Sequence, residues 1–584
     1  MSDSATVEAP RASLAEPASA TRRRLVVLGL NLALLALLAA CLIAVLAPDG
    51  WTVAEALFLA AALVAAPWTV LGFWNAVIGL FLLHGRADGL ARVAPFATTG
   101  PAEPLQLTTA VLMTLRNEDP LRALARLEIV ERSIAATGEG DGFRYFILSD
   151  TSSPEIALGE ERAVAAWRAR SGCPERIVYR RRADNTGFKA GNLRDFLDAH
   201  GDAHDLMLPL DADSLMDGPT IVALARMMQG APRLGILQSL VVGAPTESAF
   251  ARVFQFGMRA GMRSYTTGAA WWTADCGPFW GHNALVRIAP FRRDCALPVL
   301  PGGPPFGGHI LSHDQVEAVL MRRGGHEVRV LPVEGGSWEE NPPTLLDFMA
   351  RDGRWCQGNL QYPRLLALPG LLPTSRFQLF WAILMFLGVP ATTLMTALLP
   401  FLVAGAAETP AGPALGLYLG FLALNLVPKL AGYLDILLTP GAARSYGGPG
   451  RVLAGAAVET VFSHLLEPVS RLRTTLSIAG MALGRSVAWG GQARDARGLG
   501  WGTAFAALWP SVAFGLAVLG ATAAQSPAAA LWSLPVTLGH LVAVPFAVAT
   551  ASPRLGRWLA SRRVCAVPEE IAPPPEIAAL RGVR

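Results

Sequence analysis

Residues 25–46, LVVLGLNLALLALLAACLIAVL, contain no charged side chain. As a helix rising about 1.5 Å per residue, such a run crosses the roughly 30 Å hydrocarbon core of a bilayer. Hydrocarbon offers the backbone no hydrogen-bond partner, so a segment that enters it closes its own hydrogen bonds as a helix. The feature recurs: 53–83 (interrupted by Glu55 and Pro67), 377–403, 415–438, 503–523 and 528–549 are further predicted spans. Between 451 and 488 the pattern is mixed, with VLAGAAVETVFSHLLEP followed by LSIAGMALGRSVAW. That section reads as two short spans or as a stretch lying along the membrane surface; either choice keeps the number of crossings even, at six to eight.

Arginines flank the spans unevenly. Arg22, Arg23 and Arg24 precede the first, Arg86 and Arg92 follow the second, and Arg554, Arg557, Arg562 and Arg563 follow the last, whereas the loop at 47–52 has no basic residue. The positive-inside rule then predicts that both termini and the segment after Leu83 are cytoplasmic. The first run is too long for a cleaved signal peptide and lacks a small-residue cleavage site. Six scattered cysteines form no disulfide framework or paired zinc motif. The net charge of +4 has no dense basic tract behind it, which fits arginines beside lipid headgroups and excludes a nucleic-acid surface. Residues 1–21, rich in Ala, Ser and Pro, read as a disordered tail, and the end, PEEIAPPPEIAALRGVR, reads the same way.

Between about 105 and 362 the continuous apolar pattern gives way to short runs separated by polar turns. LTTAVLMTL, YFILSD, RIVYR, DLMLPLDAD, LGILQSLVV and HEVRVLPV read as strands, several followed by helical stretches. This is the pattern of a mostly parallel sheet with covered faces, in which ligands bind beyond the carboxyl ends of the strands. Arg116, Asn117 and Glu118 follow one strand, Asp150 ends another, and Asp211 and Asp213 end a third. Two carboxylates one residue apart after an apolar strand suit Mg²⁺ or Mn²⁺ held against a diphosphate; a surface turn or a helix cap explains the same pair. No dinucleotide-binding glycine fingerprint, HExxH or zinc-spaced histidine cluster is present.

The series RNED (116–119), SD (149–150), GFKAGNLRD (187–195), DAD (211–213), GPFWGHNALVR (277–287), SHD (312–314) and RDGRW (351–355) resembles the processive, membrane-embedded synthases of glycosyltransferase family 2, which include cellulose and hyaluronan synthases. Longer phrases, among them GGHILSHDQVEAVLMRRGG and SWEENPPTLLDFMARDGRWCQGNLQY, resemble the bacterial branch that builds the β-1,2-linked backbone of osmoregulated periplasmic glucans. The resemblance covers roughly 105–365. It implies a multi-span α-helical membrane protein with an inserted cytoplasmic α/β glycosyltransferase-A domain: spans at 22–84, the catalytic domain at 85–365, four to six spans at 366–565, and a cytoplasmic tail at 566–584.

Carried over residue by residue, the resemblance implies that Glu118 and Asp150 bracket the uridine of UDP-glucose and that Lys189 meets its diphosphate. Asp211 meets UDP and metal, and Asp213 is the metal ligand, for Mg²⁺ with Mn²⁺ as the alternative. Asp314 stands where the family keeps its general base, with Ser312 and His313 in place of the usual Thr and Glu; a helix cap is the plain reading of the same aspartate. The family's QxxRW becomes RxxRW, so Arg354 and Trp355 match, as leaving-group and acceptor contacts, while Arg351 replaces the glutamine. His282, Asn283 and Trp280 fall in the acceptor loop. Trp271, Trp272 and Trp338 add aromatic surface that suits sugar binding, packing or membrane-interface anchoring equally. PGGPPFGGHI (301–310) reads as a mobile lid or a static connector. The stretch 486–501, with Gln492 and Arg494, is the candidate gating loop; a simple cytoplasmic linker explains it equally. Partners implied are UDP-glucose, the growing glucan, membrane lipid and, by likeness alone, acyl carrier protein; the setting implied is the inner membrane of a Gram-negative bacterium.

Overall fold

The computed structural model describes residues 18–48, 50–98, 104–404, 411–487 and 494–583. Its centre is a seven-stranded sheet, β1 (Thr109–Leu115), β2 (Phe143–Ser149), β3 (Ile177–Arg181), β4 (Leu206–Asp211), β5 (Leu234–Gln238), β6 (Ala284–Arg287) and β7 (Glu327–Val330), in the order β3-β2-β1-β4-β6-β5-β7. Alternation along β1 shows why the strands are so apolar: Val111, Met113 and Leu115 enter one core and Ala110 and Leu112 the other, so both faces are covered.

Register sets the site. Leu115 pairs with Ser149 and Thr114 with Asp211, which brings the carboxyl ends of β1, β2 and β4 to one edge. β6 is antiparallel to both of its neighbours, β4 and β5. Its beginning, the Trp280–Asn283 turn, therefore lies at the edge where the parallel strands end. A small sheet of Leu215–Met216, Ser337–Glu339 and Val242–Gly243 sits beside it.

Six described helices are long and apolar enough to cross a membrane: Ala18–Leu46, Val53–His84, Pro373–Ala404, Ala411–Leu438, Pro449–Ala482 and Trp501–Gln525. A pair bent by 52°, Pro527–Leu541 and Ala543–Thr550, makes a further broken span. The mixed section is thus one continuous helix, not two short spans. Just before it, Tyr446 packs on Phe256 and under Arg259 of the catalytic-side helix Ala249–Thr273. Its far half meets the Leu345–Asn359 helix, where Thr474 donates to Asp352 at 2.9 Å, and beyond it the Val487 N–H donates to Gln357 at 2.7 Å. Both ends are held at the catalytic domain.

Close backbone contact joins the spans to that domain. A Cβ on Gly79 would lie 1.7 Å from the Ser264 carbonyl oxygen, and one on Gly268 1.9 Å from that of Asn75. Gly79→Val is therefore expected to cost about 3 kcal/mol through overpacking, read as a fall of several degrees in the melting temperature of the detergent-solubilised protein.

The carboxyl-terminal stretch corrects the expectation of a disordered tail. Pro568–Ile571 and Pro575–Val583 are helical, and Ile577 and Leu580 complete the core beside the Pro120–Ala135 helix. Glu569 receives Arg259 at 2.5 Å and the Trp338 indole N–H at 3.0 Å, while Glu570 pairs with Arg252 at 2.7 Å. The acids looked solvated because their partners lie some 310 residues earlier in the chain.

Candidate active site

The strand-end carboxylates gather as the register requires, each with a cation. Asp150 takes a two-pronged ion pair from Arg182, Nε to Oδ1 at 2.7 Å and Nη2 to Oδ2 at 2.8 Å. Lys189, at the start of the Phe188–His200 helix, bonds Asp211 and also donates to the Gly281 carbonyl at 2.9 Å. Burial opposes ionisation of Asp211, yet Lys189, His282 and Arg494 outweigh it and hold the carboxyl far below the usual range. Asp213 pairs with Arg494. Glu118 lies near both aspartates, and burial pushes its carboxyl up, with Arg494 opposing the shift.

Gly281 links this cluster to Asp314. Its φ of +78° is the left-handed region that suits glycine, and a Cβ there would stand 3.4 Å from the Cβ of Asp314. Asp314 opens the Asp314–Arg323 helix in its first turn, where the helix dipole favours a carboxylate. The neighbouring His313 is buried against Glu317, Nδ1 to Oε2 at 2.8 Å. Burial alone would lower its pKa, but Glu317 raises it, so this imidazole stays protonated to higher pH than a free one. Tyr362 donates to the Ser312 carbonyl at 2.8 Å and fixes the turn from behind.

The residues expected at the acceptor divide into two groups. Trp355 is 49% exposed and Arg354, one residue before it, is buried. Trp280 and His282 are partly exposed, and His282 reaches Ser214 at 3.3 Å, Asn283 at 3.1 Å and Glu339 at 3.5 Å. Asn283 differs from expectation: it has no exposed surface, and its amide donates to Ser337 at 2.9 Å and to the Trp338 carbonyl at 3.4 Å. It braces the turn and leaves no surface to a sugar. Trp338 is buried, and Trp272 donates to Asn75 at 2.9 Å, so both are packing residues. The 301–310 loop is pinned rather than free: Gln361 donates to Gly307 and His309 carbonyls, Gln357 to that of Pro305 and Arg364 to that of Phe306.

Residues 494–497 lie against the site. Besides Arg494 on Asp213, Asp495 receives Arg122 at 2.5 Å and Arg497 donates to Asp347 at 2.8 Å. Gln492, and residues 488–493 with it, lie outside the described residues.

Several site residues were not singled out from the sequence. Arg182 ends the run of three arginines that closes β3, a signal that a buried acid waits at that edge. Glu339 and Glu340 were visible only within the phrase SWEEN. Glu339 is pushed up by burial, against the pull of His282, and Glu340 receives Arg122 at 2.7 Å.

Known proteins resemble this chain in sequence over most of its length. The sequence profile of the glycosyl transferase family group 2 matches residues 206–413. The glucans biosynthesis glucosyltransferase H of Xanthomonas euvesicatoria pv. vesicatoria is 36% identical over 572 residues, covering 94% of this chain and 88% of the relative. The protein so named in Caulobacter vibrioides is 36% identical over 562 residues, covering 92% and 83%. Among solved structures, a mannosyltransferase from Pyrobaculum calidifontis in complex with GDP-Man and Mn²⁺ covers 66% of this chain and all of its own, at TM-score 0.42 and 16% identity. The chain is a multi-pass membrane glycosyltransferase of group 2, and it belongs to the glucans biosynthesis glucosyltransferase H family.

Proposed function

We propose that the protein transfers glucose from UDP-glucose to the end of a growing β-1,2-linked glucan, by inversion and processively, and passes the polymer across the inner membrane. The observation that carries this reading is the meeting of Asp211, Lys189, Gly281 and Asp314 at one sheet edge. It sets a nucleotide-sugar cluster beside a carboxylate able to receive a proton. In the reaction, the acceptor hydroxyl attacks the anomeric carbon as its bond to the UDP oxygen breaks. Asp314 takes the hydroxyl proton, and one displacement converts an α-linked donor into a β-linked product. Glu118 and Asp150 hold the uridine, Lys189 and Arg354 the diphosphate, and Trp355 the acceptor ring.

Among the described residues no three His, Cys, Asp or Glu side chains stand close enough to cage a cation. Asp211 and Asp213 nonetheless fit a divalent ion shared with the donor's diphosphate. Both are hard oxygen ligands, and the partner of Asp213 is a side chain of the covering loop. Such an ion, Mg²⁺ or Mn²⁺, would neutralise charge on the departing UDP. EDTA is expected to reduce turnover to background, and either ion to restore it.

The test is purification in nanodiscs with Mg²⁺ and radiolabelled UDP-glucose, beside UDP-N-acetylglucosamine and UDP-glucuronate, with linkage read by enzymatic digestion and NMR. A β-1,2-glucan supports the proposal; a polymer of another linkage overturns its specificity, and no transfer from any donor overturns the whole. Export is tested in vesicles, where glucan that lengthens but never reaches the far side rejects coupling. The arginine flanks support cytoplasmic termini and a cytoplasmic catalytic domain. Acyl carrier protein, implied by likeness alone, is tested by adding it to the purified enzyme.

A further inference from the structure

Arg351, where the QxxRW pattern of the processive synthases has glutamine, sits among three aromatic rings. Its guanidinium carbon lies 4.6 Å from the ring centroid of Trp355, 5.7 Å from that of Phe348 and 5.9 Å from that of Phe254. Phe348, Arg351 and Trp355 fall at i, i+3 and i+7 on one face of the Leu345–Asn359 helix, and Phe254 comes from the helix packed opposite. The Arg351 Nε is buried with no hydrogen-bond partner among the described residues, so the rings are its main surroundings on that side. A guanidinium gains from such faces because it is planar, cationic and weakly hydrated, and a neutral glutamine amide gains far less.

We infer that Arg351 is the positioning residue of the acceptor platform: it backs one face of Trp355, fixes the plane of the indole and leaves the exposed face for a sugar ring. This rests on the proposed role of Trp355 as the acceptor contact. Fixing the ring before sugar arrives removes an ordering cost from each binding event.

Calorimetric binding of β-1,2-gluco-oligosaccharides, with cello-oligosaccharides alongside, tests the inference without turnover. Arg351→Gln and Trp355→Leu are each expected to weaken oligosaccharide binding about tenfold, and the double variant to be no weaker than Trp355→Leu alone. In elongation assays Arg351→Gln is expected to raise the KM for added oligosaccharide more than it lowers kcat. Additive losses in the double variant, unchanged binding by Arg351→Gln, or no oligosaccharide binding by the native protein would overturn the inference. Should the glutamine variant not fold, Arg351→Met fills the same space without the charge and replaces it. Failure of the proposed function reads differently, as native protein that does not turn over UDP-glucose whatever residue 351 is.

Discussion

Asp314→Asn is expected to reduce glucan elongation by a factor of about 10² to 10⁴, the usual contribution of a general base. The amide has nearly the shape of the carboxylate, so the turn beside Gly281 and the start of the Asp314–Arg323 helix survive. What it lacks is the ability to take the acceptor proton. Binding of UDP, measured by equilibrium dialysis, should change little, because the cluster of Asp150, Lys189 and Asp211 is untouched. Elongation above a tenth of the native rate would show that the proton leaves by another route.

Glu569→Ala is expected to destabilise the folded protein by about 2–3 kcal/mol, the cost of removing an ionised hydrogen-bond partner from a buried arginine and an indole. Arg259 is 4% exposed and would keep Glu334 at 3.0 Å and the Tyr446 ring face, while the Trp338 indole N–H would lose its acceptor. Glu569→Gln keeps an acceptor for Trp338 and removes the charge, so its melting temperature should fall between those of native and alanine proteins. The effect should reach the site, since Trp338 precedes Glu339, the partner of His282. Equal melting temperatures in all three proteins would remove the tail from the stabilising core.

The strand-end acids were legible because they depend on local sequence: an apolar strand followed by a carboxylate states its place whatever packs around it. The spans were legible from length. What escaped depended on distant partners. β6 is four residues within GPFWGHNALVR and reads as part of a loop; only pairing with β4 and β5 makes it a strand. The course of Pro449–Ala482 was open because Glu459 interrupts its apolar face, and its neutralisers, Lys429 at 2.5 Å and Tyr433, come from another helix. Asn283 looked like a sugar contact by type, and only the fold revealed that its amide is consumed inside the protein. Arg351 was visible as a departure from the pattern, but its task lay in ring geometry that spacing alone does not give.

The packing of residues 568–583 also orders the protein's birth. Ile577 and Leu580 belong to the same core as Val111 and Leu127, yet four long apolar helices and the bent pair lie between them and β1 along the chain. During synthesis the sheet leaves the ribosome early, and its groove beside the Pro120–Ala135 helix stays open while the later helices insert. Only a chain that has finished insertion can close it. A truncated or stalled product therefore occupies the membrane with an incomplete catalytic core.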